Sequence, residues 1–156
     1  MIRKQKGFSL IELLIVVAII LVIAAIAVPN FLRSKIAANQ ASAVGSLRSV
    51  NTACISYNTT YGQFPASLTN LGPFTSGGAP SSTSADLIDV VLAAGQKSGY
   101  NFVYTAGTSN QSYSITATPI APATSGQNMY FSDQSGVIRV DVSGAGATAS
   151  STPIGD

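Results

Sequence analysis

The sequence predicts an α+β protein: a long N-terminal α-helix, first apolar and then amphipathic, packed against a small antiparallel β-sheet. Three observations predict it. Residues 13–28, LLIVVAIILVIAAIAV, are sixteen apolar residues without a break. Beyond Pro29 apolar side chains recur at spacings of three and four, the helical period. From Tyr100 onward the period switches to two, the signature of half-buried strands.

The apolar run, extended back to Phe8, counts twenty-one residues, with Ser9 and Glu12 its only polar members. As a helix it spans roughly 32 Å at ~1.5 Å per residue, close to the ~30 Å hydrocarbon core of a bilayer. Arg3, Lys4 and Lys6 precede it and predict a cytoplasmic N-terminus by the positive-inside rule. A secretory signal peptide would have a shorter apolar core followed by small residues at the cut. Ala24, Ala25 and Ala27 offer a loose version of that site, but the apolar run continues past them. A plain membrane anchor fits the length and leaves Glu12 and the Gly7-Phe8 junction unexplained. A third reading places cleavage before the run, at Gly7.

Residues 30–61 form the amphipathic continuation. Leu47, Val50, Cys54, Tyr57 and Tyr61 share one face, and Ile36 and Ala43 extend it backwards. One rod of about 80 Å over residues 8–61 follows at ~1.5 Å per residue. Pro29, lacking a backbone N–H, is expected to kink it. Gly45 is a second soft point, and Gly62-Gln63-Phe64-Pro65 ends it. Residues 62–142 then make a globular head. Residues 72–83 read as a Gly/Pro/Ser loop. A short helix follows, capped by Thr83 with Asp86, with Leu87, Val91 and Ala94 as its apolar face and Gly95 as its stop. Tyr100, Phe102 and Tyr104 alternate on one strand, and Tyr113, Ile115 and Ala117 on the next. Two more strands flank the turn 132–136, with Ile138, Val140 and Val142 facing one way. The order predicts a meander of three or four strands. Residues 143–156 lack periodicity and read as a flexible tail.

Composition narrows the chemistry. Charged residues make up 9% of the chain, against about a quarter in a usual soluble domain. Without residues 1–7, five cations would face six acids, which leaves no basic patch for nucleic acid. The chain has no histidine, so Ser-His-Asp and Cys-His catalysis are excluded. Its one cysteine, Cys54, lies on the apolar stripe and reads as a small buried hydrophobe. Asp133 in the turn 132–136 is a single acid, too few for calcium, which takes six to eight oxygens. No metal site and no cofactor are expected. Phe31, Tyr57, Tyr61 and Phe64 read as packing residues, and Asn58-Thr59-Thr60 is a short glycan-acceptor pattern.

The stretch Lys6-Gly7-Phe8-Ser9-Leu10-Ile11-Glu12-Leu13 resembles the type III signal of type IV pilins and type II secretion pseudopilins. Pro29 falls where such proteins carry a proline, and Tyr61-Gly62-Gln63-Phe64-Pro65 resembles the segment that follows their long helix. The resemblance implies that residues 1–7 are a leader, that a prepilin peptidase cuts between Gly7 and Phe8, and that the new Phe8 amine is methylated. Residues 8–29 would be the membrane and later filament-core helix in a pilin fold. A membrane carboxylate costs about 2.5–3.5 kcal/mol on insertion scales, so Glu12 wants a partner. The Phe8 amine lies one helical turn away and offers one, in its own chain or in a neighbour. The resemblance favours the neighbour and makes Glu12 a filament-assembly residue. It implies a non-enzymatic structural subunit of a type IV pilus. The partners are then copies of itself, the peptidase, an inner-membrane assembly platform, a motor ATPase and minor pilins. The precursor would be a single-pass inner-membrane protein and the product a surface fibre. The alternatives are a major pseudopilin and a membrane-anchored binding module that never polymerises. Many pilins close a C-terminal loop with a disulfide, which one cysteine cannot do.

Overall fold

The computed structural model describes residues 7–74 and 78–155; the leader cations Arg3, Lys4 and Lys6, loop positions 75–77 and Asp156 lie outside the described residues. The chain divides into two units, Met1–Lys35 and Ile36–Asp156. Helix α1, Leu10–Tyr61, is 52 residues long and supplies segments to both.

In the first unit, residues 7–9 are non-helical and α1 begins at Leu10. Its apolar side chains are exposed, from Leu10 at 75% to Ile26 at 65%. Pro29 sits inside α1 without ending it. With no N–H, it cannot donate to the Ala25 carbonyl one turn back.

In the second unit the stripe on α1 is buried. Ala43, Leu47, Val50, Cys54 and Tyr57 pack in one core with Tyr100, Phe102, Tyr113, Ile115, Ala117 and Tyr130 of the sheet. Gly62 ends the helix at φ 75°, donating to the Asn58 carbonyl at 2.8 Å. That left-handed turn is the usual helix stop and is cheap only for glycine. A 3₁₀ turn at Leu68–Leu71 follows.

The sheet is a six-stranded antiparallel meander. Its strands are β1 (Gln96–Lys97), β2 (Tyr100–Ala106), β3 (Tyr113–Pro119), β4 (Met129–Asp133), β5 (Arg139–Asp141) and β6 (Thr152–Pro153). Phe102 lies opposite Ala117, Ile115 opposite Ser132, and Tyr130 opposite Val140. The alternation of β2 and β3 places Tyr100, Phe102, Tyr113, Ile115 and Ala117 in the core. The strands beyond the expected three or four, β1 and β6, have two residues each, too few to show a period.

Two expectations need correction. The short helix is not capped by Thr83 with Asp86. Helix α2 is Val90–Ala93, and Asp89 caps it, accepting from the N–H groups of Val91 at 3.1 Å and Leu92 at 3.0 Å. The preceding residues bond to the 3₁₀ turn instead. Ala85 donates to the Asn70 carbonyl, Asp86 to Gly72 and Leu87 to Leu71. Those bonds compete with helix formation, and Asp86 takes φ 56°. Burial shifts by one position, from the expected Leu87, Val91 and Ala94 to Ile88, Leu92 and Ala93.

The second correction concerns residues 143–156. Of these, the described residues 143–155 return to the sheet through β6, and the Ile154 N–H donates to the Ile138 carbonyl at 2.9 Å. The turn leading there is tied by one side chain. Asp141 accepts from the Ser143 N–H at 2.9 Å, the Ser143 hydroxyl at 2.7 Å and the Gly146 N–H at 2.9 Å. These donors hold the Asp141 carboxyl down at about 2. The Arg139 guanidinium donates from Nη1 to the Ser151 carbonyl at 3.1 Å. Because the chain turns at Asp141, Val142 is 74% exposed rather than aligned with Ile138 and Val140.

Leu47→Ala should destabilise the head by about 2–5 kcal/mol, measured by denaturant unfolding, because Leu47 is fully buried. Asp141→Ala should leave the unfolding midpoint close to wild type. It should release the Ser143 and Gly146 amides to fast hydrogen exchange and open residues 143–151 to protease.

Candidate functional site: the N-terminal segment and its apolar helix

Gly7 and Phe8 are exposed and precede the helix, Phe8 at 78%. A Cβ built on Gly7 would meet nothing within 4 Å. The junction is therefore an open, non-helical peptide bond joined directly to an apolar helix.

Glu12 occupies the third helical position. Its Oε2 accepts from the Ser9 backbone N–H at 2.9 Å, while the Leu13 N–H donates to the Ser9 carbonyl at 3.3 Å. This is the glutamate half of a capping box, which satisfies one of the donors a helix start leaves unpaired. The signal was present in the sequence as Ser9-x-x-Glu12. The carboxylate is thus engaged within its own chain, one residue from the Phe8 nitrogen.

The rest of the segment carries no chemistry beyond apolar surface. Ile11, Ile15, Ile19, Ile20, Val22 and Ile23 are each about half exposed or more. By length and composition it is the one helix among the described residues able to cross a membrane. Phe31 is exposed in the same unit.

The cysteine and aromatic side chains described in the head are packed together. Cys54 is fully buried beside Tyr104 and Tyr113, and burial pushes its thiol up to about 12. Thiolate, the reactive form, is therefore absent near neutral pH. Tyr104 stacks on Tyr113 with centroids 5.5 Å apart, Phe64 meets Tyr113 edge-on at 4.9 Å, and Tyr57 lies 4.6 Å from Tyr61. Tyrosine hydroxyls then tie the packed rings to backbone: Tyr57 to the Ser82 carbonyl at 2.6 Å, Tyr104 to Pro65 at 2.9 Å, Tyr100 to Asn128 at 2.9 Å. In the turn 132–136 the Asp133 carboxylate accepts from the Ser135 N–H at 2.9 Å. Asn58 sits in the last turn of α1.

Sequence reasoning missed Asn51. It lies on the buried side of α1 at 5% exposure and bonds to Tyr113 and Ser132. A polar residue inside a helical stripe, at a position where the period calls for burial, was the available signal.

The family model for the prokaryotic N-terminal methylation motif matches residues 2–28. Among similar proteins, a type IV major pilin protein of Myxococcus xanthus is 48% identical over 50 residues, 32% of this chain and 23% of that protein. A type IV wide pilus major component of Thermus thermophilus is 57% identical over 37 residues, 24% of this chain and 28% of its own. A type II secretion system core protein G of Dickeya chrysanthemi is 31% identical over 70 residues, 45% of this chain and 46% of its own. Each match spans less than half of the relative's length. No solved structure matches the chain.

The head should unfold on the alkaline side. Burial raises Cys54 from 9.0 and Tyr100 from 10.0, each to about 12, and also raises Tyr104 and Tyr113. A raised acid contributes stability that is fully present below its unfolded value and lost as pH rises toward its folded one. Near-UV circular dichroism should stay flat to about pH 9 and collapse between about pH 10 and 12. Alkylation of Cys54 at neutral pH should require denaturant. Over residues 2–28 the chain carries the prokaryotic N-terminal methylation motif, and it is similar in part to type IV pilins and to a type II secretion core protein.

Proposed function

We propose that this chain is the structural subunit of a type IV pilus, assembling through its N-terminal helix after its leader is removed. The single observation that carries this reading is the juxtaposition at residues 7–28. An open Gly7-Phe8 bond leads into a helix whose apolar side chains have nothing among the described residues to cover them. Such a surface belongs in lipid or against other apolar helices. Two of the relatives named above are pilus subunits.

In the precursor the helix sits in the inner membrane, with the leader cations on the cytoplasmic side. A prepilin peptidase cuts between Gly7 and Phe8, and the Phe8 amine is methylated. The cut creates a cation one residue before Ser9, whose N–H the Glu12 carboxylate already holds. An assembly platform and motor ATPase, with minor pilins, then transfer the helix from lipid to its neighbours. The apolar surface stays out of water throughout, which keeps the exchange near balance. Small residues Ala18, Ala24, Ala25 and Ala27 allow close helix approach. Pro29 gives a local freedom to bend where one backbone bond is missing. A second reading, the major pseudopilin of a type II secretion system, rests on the core protein G relative. Both readings make the chain a filament subunit rather than an enzyme.

The two engagements open to Glu12 can be separated. Gln at the third helical position still caps, whereas Ala does not. If the charge matters for assembly, Glu12→Gln should weaken each subunit addition by about 1.4 kcal/mol or more, tenfold in the addition constant, and sharply lower fibre yield in sheared surface fractions. Glu12→Ala should be at least as severe. Wild-type yield in Glu12→Gln with loss in Glu12→Ala would assign Glu12 to capping alone. Gly7→Val should accumulate full-length chain on immunoblots of membranes; a mature-length product in that variant would contradict cleavage at Gly7.

A further inference from the structure

The buried face of α1 is apolar except for Ser46 and Asn51, and of the two it is the Asn51 amide that bonds to the sheet. Asn51 Oδ1 accepts from the Tyr113 hydroxyl of β3 at 3.1 Å. Its Nδ2 donates to Ser132 Oγ of β4 at 2.8 Å and to the Gly136 carbonyl at 3.3 Å. Ser132 Oγ in turn donates to the Val137 carbonyl at 3.1 Å. One side chain of the helix thus reaches two central strands and the turn that follows them. Asn51 is 5% exposed and Ser132 fully buried, so the Asn51–Tyr113 and Asn51–Ser132 bonds have no water as a ready substitute.

Most apolar contacts around it lack direction; other directed ties of α1, among them Asn39 Nδ2 to the Ser125 carbonyl and the Tyr57 hydroxyl to the Ser82 carbonyl, reach loops rather than the central strands. Ala43, Leu47, Val50, Cys54 and Tyr57 recur at alternating spacings of four and three, and all five are buried. A stripe with that repeat still faces the sheet after the helix slides by one turn, about 5.4 Å. Sliding costs some fit between large and small side chains, but it leaves no apolar residue in water. For Asn51 the same slide is prohibitive. Its amide and the Tyr113 hydroxyl would be buried without partners and Ser132 Oγ would lose the donor it accepts from, and each unpaired buried group carries a desolvation penalty.

We propose that Asn51 is the register pin of this protein: the residue that selects one axial and rotational setting of α1 against the sheet. Polar groups in helical interfaces set register in this way at some cost in stability. The role matters for a filament subunit, a point that rests on the function proposed above. Every copy must carry its head at the same position along the packed segment of the helix if the copies are to repeat. A subunit population with two settings would present two different surfaces to its neighbours.

The test is made on the full chain in detergent micelles, so its outcome does not depend on whether fibres form. Spin labels on cysteines placed at Thr52 of α1 and Thr105 of β2, both exposed, report the setting by pulsed electron-spin distance measurement. Buried Cys54 stays unlabelled. The wild-type network should give one narrow distance distribution. The triple variant Asn51→Leu, Tyr113→Phe, Ser132→Ala replaces the polar side chains by apolar ones of similar size. It should melt within a few degrees of wild type or above it and give a broadened or two-peaked distribution, with centres about 5 Å apart along the helix. A folded triple variant with the single wild-type distance overturns the proposal. Should that variant fail to fold, Tyr113→Phe, which removes one hydroxyl, carries the test. A second distance population there supports the pin, and a single wild-type peak overturns it.

Discussion

The apolar surface of the N-terminal helix cannot be left in water, and the rest of the molecule is arranged around that constraint. Burying a Leu, Ile or Val side chain contributes about 1.5–3 kcal/mol, so an unbroken run of sixteen apolar residues represents on the order of tens of kcal/mol. The fold of a single chain leaves this surface open. In the function proposed above, lipid covers it before assembly and other copies cover it after, so that apolar burial would be conserved across the transfer. Glu12 is the acid within that surface. Its bond to the Ser9 N–H shows how the chain accommodates a carboxylate there: it becomes part of the helix start, where the backbone offers donors and the helix dipole favours negative charge.

The head answers the opposite problem. It is a small sheet with little charge and one cysteine, and no disulfide holds it. Directed hydrogen bonds perform that duty. Tyrosine hydroxyls close on backbone carbonyls, and Asn51 joins helix, sheet and turn. At the C-terminal end Asp141 gathers three donors from the turn that follows it. β6 then closes the sheet with a two-residue strand containing Pro153, an edge poorly suited to recruiting another strand.

Much of this was legible in the sequence where a period repeats often enough. The stripe from Ala43 to Tyr57 and the alternation of Tyr100, Phe102, Tyr113 and Ile115 are long patterns, and all of these residues are buried. Gly62 marked the end of α1 because only glycine takes its backbone angle cheaply. Short features were illegible for physical reasons. Residues 85–88 have a helical pattern, but their backbone bonds to residues 70–72 decide their conformation. β6 has no period to read, since its pairing with β5 is a long-range contact. Asn51 looked like a polar interruption, because its partners lie more than sixty positions away. The Glu12 cap was readable as Ser9-x-x-Glu12 but competed with a more conspicuous explanation, the charge of the new amine.

The claim that copies of this helix cover one another is tested most directly by where an ultraviolet-activated cross-linker at Ile20 reacts. Ile20 is 58% exposed in the single chain and lies mid-run. With a benzophenone side chain at that position and irradiation of intact cells, the surface fraction should contain a ladder of covalent dimers, trimers and higher multimers of this chain. Adducts confined to single chains in the membrane fraction, with no ladder, would contradict helix-to-helix packing as the destination of this surface.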